Sequence, residues 1–128
     1  MKYVRDVLEF EGASTEEMGV HDALRYSRDG FYDLGIEKVG DEELLVGQYF
    51  TQRMDLMRAP EVVFDTSGGN GDWTPVEYTN HESLPQVYRR DESGVDGLGE
   101  LLDTWESNLR GQYPVERLDE FRSEDSTL

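Results

Sequence analysis

Segments with the alternation typical of β-strands fill the middle of this chain, and helical patterns lie on both sides of them. Alternating apolar residues and β-formers occur in five stretches, at residues 32–39, 44–52, 61–65, 73–78 and 84–90. Strands that follow one another without intervening helices favour an antiparallel meander over alternating βαβ units. We therefore predict an α+β fold, an antiparallel β-meander of about five strands with helices packed on one face.

The strongest helical pattern covers residues 95–113 and ends at Pro114, which cannot continue a helix. Its apolar stripe at helical spacing consists of Leu98, Leu101, Leu102, Trp105 and Leu109. The segment that follows is mostly charged and its last residues are expected to be loose, but three apolar residues favour one docked turn: Val115, Leu118 and Phe121. We predict a single α+β domain over residues 1–113 and an acidic C-terminal tail over residues 114–128.

The N-terminal part of the chain carries a second helical pattern. Ser14 and Glu17 have the spacing of a capping box, in which each side chain bonds an exposed amide at a helix start. This predicts a helix over residues 15–29, with Gly30 as its stop. Residues 2–10 fit a helical stripe only loosely, so a helix or a strand is open there, and we favour the helix.

Acidic residues outnumber basic ones along the whole chain. There are 29 Asp and Glu against 12 Lys and Arg, which gives a formal net charge of -17. This charge repels nucleic-acid phosphates and anionic lipids, so we expect no direct nucleic acid partner and no membrane partner. All but two of the basic residues are arginines, and the acidic residues are scattered. The composition resembles that of haloarchaeal proteins, and we interpret it as adaptation to molar salt.

The chain has no cysteine, which excludes disulfides, thiol nucleophiles and cysteine-ligated metal centres. Charges interrupt the first dozen residues, unlike a signal peptide, and no run of about 18 apolar residues occurs. We therefore expect a cytoplasmic protein. It is predicted to use no cofactor and to be a monomer or a homodimer.

Patterns that would indicate catalysis or metal binding are weak. The glycine-rich stretch Asp65–Asp72 offers oxygen ligands for Ca²⁺, but its spacing departs from that of an EF-hand. A metal loop and an ordinary hairpin loop both remain open. The chain has no Gly-x-Ser-x-Gly elbow and no phosphate-binding Gly-Lys-Ser/Thr, so we predict no catalytic residue and no metal ligand.

The run YFTQRMDLMRAPEVVF, Tyr49–Phe64, is similar to the central motif of a family of small uncharacterised proteins from plasmids, phages and bacterial and archaeal genomes. Later positions agree in order with that family, namely Trp73, Pro75, Tyr78, Val87, Tyr88, Trp105, Asn108, Gln112 and Tyr113. The chain departs from the pattern at Arg53-Met54, where an Asn-Gly-like turn is expected, and at Ala59, where an Asp usually precedes Pro60. The resemblance implies a shared fold and an origin in a mobile element, without an activity.

Five residues of this motif are candidates for binding, on a loop predicted between two strands: Gln52, Asp55, Met57, Pro60 and Glu61. Side-chain caps on backbone amides would give them a purely structural role. Alternatively they form a recognition loop held by a rigid sheet.

The packed domain without a catalytic set leads us to expect a non-enzymatic accessory module that binds a protein partner. One alternative is a metal-dependent enzyme with carboxylate ligands from Asp55, Glu61, Asp65 and Asp72. A further alternative is an acidic inhibitor that imitates DNA.

Overall fold

In the computed structural model, residues 1–68 and 72–128 are described. The elements in chain order are α1 (Lys2–Phe10), β1 (Ala23–Tyr26), β2 (Asp33–Gly40), β3 (Glu43–Gln52), β4 (Asp55–Asp65), β5 (Thr74–Asn80), β6 (Val87–Arg90), α2 (Gly99–Gln112) and a 3-10 helix (Val115–Glu120). The strands form one sheet in the order β1-β2-β3-β4-β5-β6, and each neighbouring pair is antiparallel. The predicted α+β meander is confirmed.

The described sheet has six strands instead of about five, and the additional strand is β1, which lies where a helix was predicted over residues 15–29. The Glu17 amide does donate to the Ser14 hydroxyl, at 3.2 Å, but only turns follow. Residues 23–26 instead pair with β2, where Leu24 lies opposite Ile36. The helix prediction was wrong because cross-strand pairing and burial in the core outweigh a local capping pattern.

One hydrophobic core joins the helices to the sheet. The helix α1 contributes Tyr3, Val4, Val7 and Leu8; α2 contributes Trp105 and Leu109; the strands contribute Leu24, Leu34, Ile36, Leu44, Val46, Val62, Phe64 and Tyr78. The prediction of helices covering one face is not exact, because irregular segments also enter this core through Met18 and Val95. The covering layer is therefore built from helices and loops together.

The C-terminal segment, residues 114–128, contacts the domain at several places. Leu118 of the 3-10 helix is fully buried in the core. Further on, the amides of Ser123 and Thr127 donate to the carbonyls of Arg25 and Ala23, each at 2.8 Å. These bonds cover the outer edge of β1, which would otherwise expose unpaired backbone groups.

Candidate functional site

Strands β3 and β4 extend beyond their neighbours as a projecting hairpin. Within the described part of the chain, β2 pairs with β3 as far as Tyr49, and β5 pairs with β4 as far as Glu61. Beyond these points the two strands pair with each other, Phe50 opposite Met57, Thr51 opposite Leu56, and Gln52 opposite Asp55. We term residues 50–57 the hairpin arm.

The arm ends in a two-residue turn, Arg53-Met54, whose φ angles are +52° and +72°. Positive φ at both central residues is the geometry of a type I′ turn, which favours Asn-Gly. The predicted loop between Gln52 and Glu61 is therefore wrong, since this stretch is a tight turn followed by β4. The turn keeps the geometry expected of Asn-Gly although Arg-Met occupies it, at a cost of roughly 1–2 kcal/mol per residue.

The structure divides the five predicted binding residues among four places. Gln52 and Asp55 face each other beside the turn, and Met57 lies opposite Phe50 at the base of the arm. Pro60 lines a cleft beside α2, and Glu61 lines a groove with Tyr49. Two apolar side chains of the arm outside these five residues are exposed, Met54 at 95% and Leu56 at 60%.

A cleft of about 630 Å³ separates α2 from the sheet at the base of the arm. Its described lining consists of Tyr32, Gln48, Ala59, Pro60, Asn80, Glu82, Gly97, Glu100, Leu101, Thr104, Trp105, Asn108 and Gln112. Ala59 and Pro60 lie at a bulge, where two residues of β4 face the single residue between Gly47 and Tyr49 of β3. The volume is within the range of roughly 300–1,000 Å³ that is usual for small-molecule sites.

Hydrogen bonds of Gln48 fix the floor of the cleft. The side chain is 4% exposed, and its Oε1 accepts from the indole Nε1 of Trp105 at 2.9 Å. Its Nε2 donates to Gln112 Oε1 at 2.8 Å and to the Tyr32 carbonyl at 3.3 Å. Since buried amides are stable only when bonded, this network holds α2 at a set distance from β3.

Tyr113, directly after α2, adds a hydrogen bond to the network around Gln48. Its hydroxyl donates to the Tyr32 carbonyl at 2.7 Å. Burial, with a further contribution from the charge of Asp33, raises the pKa of Tyr113 to about 12. The phenol therefore stays protonated and keeps donating well above neutral pH.

Tyr32 connects the cleft to the arm. Its ring stacks on Phe50 with centroids 4.9 Å apart and planes at 23°. Its hydroxyl donates to Glu82 Oε2 at 2.5 Å, and this hydrogen bond raises the pKa of Tyr32. The arm and the cleft thus form one continuous surface at one end of the sheet.

The face of the sheet that carries Glu61 has a second groove, of about 440 Å³. The Tyr49 hydroxyl and Arg58 Nε both donate to Glu61 Oε2, at 2.8 Å and 3.1 Å. Burial is the main cause that raises the pKa of Tyr49, and the charge of Glu61 adds to it. Glu61 therefore has structural partners that account for its position.

Carboxylates considered as metal ligands are spread over the fold. Asp55 and Asp65 are the two ends of the 11-residue strand β4, on the order of 30 Å apart. Among residues 1–68 and 72–128, no three His, Cys, Asp or Glu side chains form a group suited to a metal ion. The loop Asp65–Asp72 includes residues 69–71, which lie outside the described residues.

Asp65 has a local role at the start of that loop. Its Oδ1 accepts from the Ser67 amide at 2.8 Å. Hydrogen bonds from Ser67, first from its side chain and then from its backbone, lower the pKa of Asp65. This is the side-chain capping of a turn, a common use of Asp.

The length and the apolarity of the helices decide whether they could cross a membrane. In the part of the chain that the structure describes, no helix combines the length and the apolarity needed to cross a bilayer.

The sheet, the arm and the cleft together define a small α+β meander protein with a cleft beside a projecting hairpin. Residues 2–114 match the family described as "Domain of unknown function (DUF6908)", and the chain belongs to this family. The chain matches no curated protein and no solved structure. The matched residues contain the whole arm and the whole described lining of the cleft.

Sequence reasoning did not find Tyr32, Gln48, Glu82 or Glu100 as members of this surface. For Gln48 a signal exists, because it continues the alternating series Leu44, Val46, Gln48 on the side of β3 that enters the core. An amide in an apolar period-two pattern indicates a buried hydrogen-bonding site. The other three come from separate segments that the fold brings together.

Proposed function

We propose that this protein is a non-enzymatic protein-binding module that docks through its hairpin arm into an apolar pocket of a protein partner. The observation that carries this proposal is the Met54 side chain, 95% exposed in a turn residue with positive φ. Strained backbone retained at an exposed tip suggests a functional constraint. An exposed apolar side chain gains free energy when a partner buries it, and Met54 with its neighbour Leu56 forms a small apolar tip suited to such burial.

The support of the arm adds to this proposal. Leu56 exposes a second apolar side chain beside the turn, and the Tyr32–Phe50 stack holds the base of the arm. A rigid support lowers the entropy lost on binding, and Met side chains adapt to the shape of a pocket. We infer a partner pocket with an apolar centre of about the size of one Met and one Leu.

The charge of the chain indicates what surrounds that pocket. With a formal net charge of -17, this protein attracts basic surfaces and repels acidic ones. Molar salt screens charges beyond about 3 Å, so complementary charge acts there through direct contacts and selects partners more than it adds affinity. We therefore propose a partner whose apolar pocket has a basic rim.

The cellular setting is part of the proposal. The scattered acidic residues support a protein that works at molar salt. We propose further that it is cytoplasmic and a monomer or a homodimer. The resemblance of Tyr49–Phe64 to proteins of plasmids and phages supports an accessory role in a mobile element.

The proposal is tested by replacing the apolar tip and following one defined complex. The full chain is purified with its associated proteins at molar salt, and the partner is identified and titrated as a pure protein. The double variant Met54→Ser and Leu56→Ser should weaken its binding by about tenfold or more. The matched control is Val20→Ser, which removes a 43% exposed apolar side chain outside the arm.

Unchanged affinity of the double variant would overturn the arm as the docking site. An equal loss of affinity in the Val20→Ser control would also overturn it, because removing an apolar side chain anywhere on the surface would then weaken binding. Circular dichroism of each variant establishes that the fold is intact.

A further inference from the structure

The charged groups of the cleft all have one sign. Its described lining contains Glu82 and Glu100 and no Lys, Arg or His. Phosphates and carboxylates, which need cationic partners, are therefore poorly matched to this cleft. A ligand that brings positive charge would meet two carboxylates there without a competing cation in the lining.

One side of the cleft is a polar stripe on α2. Four residues that line the cleft follow one another at intervals of four, namely Glu100, Thr104, Asn108 and Gln112. Residues four apart lie above one another on a helix, so this stripe runs for about 18 Å along the cleft. It presents carboxylate, hydroxyl and amide oxygens that can accept hydrogen bonds.

The opposite side positions a second acceptor. Glu82 Oε2 accepts from the Tyr32 hydroxyl at 2.5 Å, and the Glu82 amide donates to Asn80 Oδ1 at 2.9 Å. These bonds fix the residue at both its side chain and its backbone. The remaining acceptor sites of the carboxylate stay available to a ligand.

The floor gives the cleft a fixed shape. Trp105 is 5% exposed there and donates to Gln48, whose own donors are used by Gln112 and Tyr32. The network is complete without a ligand, so the floor is preorganised. The indole of Trp105 also provides a spectroscopic reporter within the cleft.

We propose that this cleft binds an organic cation, a guanidinium or primary ammonium group, held by Glu82 and Glu100. Such groups carry several N–H donors and pair with carboxylates through charge-assisted hydrogen bonds. The cation belongs either to a free small molecule or to an Arg or Lys side chain of a protein. The second source rests on the proposed function, and the first is independent of it.

The test follows the indole N–H signal of Trp105 by NMR in the full chain carrying Trp73→Phe. The probes are agmatine, N-acetyl-arginine amide within a short neutral peptide, and the same peptide with citrulline, the uncharged analogue of arginine. Saturable shifts are expected with the cations and not with the citrulline peptide. Glu82→Gln and Glu100→Gln, both at exposed residues, should each weaken binding by about two- to fivefold. The matched control is Glu9→Gln, an exposed carboxylate on α1.

The possible outcomes distinguish the two sources of the cation, and they distinguish the cation site in the cleft from docking by the arm. Saturation by agmatine alone assigns a free small molecule, saturation by the arginine peptide alone assigns a protein side chain, and saturation by both supports a cation site that is open to either source. No saturable shift with either cation would overturn the proposal, as would equal binding of citrulline or equal losses in Glu9→Gln. The Met54→Ser and Leu56→Ser variant should bind agmatine normally, so failure of the arm and failure of the cleft are distinguishable.

Discussion

The Tyr49 hydroxyl donates to Glu61 across strands β3 and β4, at 2.8 Å. The tyrosine ring lies against two glycines, and a Cβ built on Gly47 or Gly35 would come within 2.5 Å or 3.2 Å of it. The ring thus fills space that side chains would occupy at those positions. Glu61, a candidate binding residue from its motif, serves here to hold the ring in place.

We expect Gly47→Ala to destabilise the fold by about 1–3 kcal/mol. The new methyl group would be 2.5 Å from the Tyr49 hydroxyl oxygen, so the ring must move and its bond to Glu61 is lost. Urea denaturation measures the change. The matched control is Gly111→Ala in α2, where no atom lies within 4 Å and helix propensity predicts a gain of about 0.5–1 kcal/mol. Equal stability of Gly47→Ala and the wild type would contradict this packing.

Replacing Arg53-Met54 by Asn-Gly should stabilise the protein by about 1–2 kcal/mol, because both residues have positive φ. The same change removes the exposed Met54 side chain, so binding of the protein partner should weaken. Thermal denaturation and titration of the partner measure the two effects. A variant that is less stable than the wild type would show that the turn has another geometry.

Gln48→Leu should lower the free energy of unfolding by about 2–4 kcal/mol, since it leaves the buried donor of Trp105 and the acceptor of Gln112 unpaired. The emission of Trp105 should change with it, which fluorescence of the Trp73→Phe background detects. Gln52→Leu is the control, an exposed amide on the arm, and should change stability by less than about 0.5 kcal/mol. Similar stability of the two variants would argue against the network.

Above pH 10, Tyr113 should contribute to a loss of stability. Its pKa is raised from 10.0 to about 12, so the folded state retains a proton that the unfolded state releases. The contribution of this group is complete below pH 10.0 and declines as the pH rises through about 12. Denaturation at a series of pH values should show a flatter decline for Tyr113→Phe. If stability declined equally steeply with pH in both proteins, Tyr113 would not be a source of this pH dependence.

Transfer from molar salt to low salt should loosen the fold, because the Debye length grows from about 3 Å at 1 M to about 10 Å at 0.1 M. The carboxylates behind the net charge of -17 then repel one another over longer distances. Melting temperatures in NaCl and KCl measure the effect. A constant melting temperature across this range would remove the support for adaptation to high salt.

Local patterns were sufficient for much of the fold. The period of two in residues 32–39 and 44–52 corresponds to β2 and β3, and the stripe of residues 95–113 corresponds to α2. These patterns are informative because each element buries its own apolar side. The helix predicted over residues 15–29 was wrong. Ser14 and Glu17 do form their capping contact, but the chain beyond them pairs as β1.

The candidate site was less predictable. The resemblance placed a turn at Arg53-Met54, but neither residue type indicates positive φ, and the following residues were predicted as a loop instead of β4. Within the cleft, Trp105, Asn108, Gln112 and Pro60 were noted from the motif as separate features. Their common surface also needs Tyr32 and Glu82, which lie in other segments of the chain, and no sequence pattern indicates that these residues meet.

The sequence by itself determined the class of fold and the acidic composition, because these follow from local periodicity and residue counts. The tertiary structure alone decided that residues 23–26 form a strand, that Glu61 supports Tyr49, and that Glu82 and Glu100 line one cleft. The physical reason is that these outcomes depend on contacts between distant segments. The energies of strand pairing, burial and charge proximity between distant segments cannot be read from a local sequence pattern.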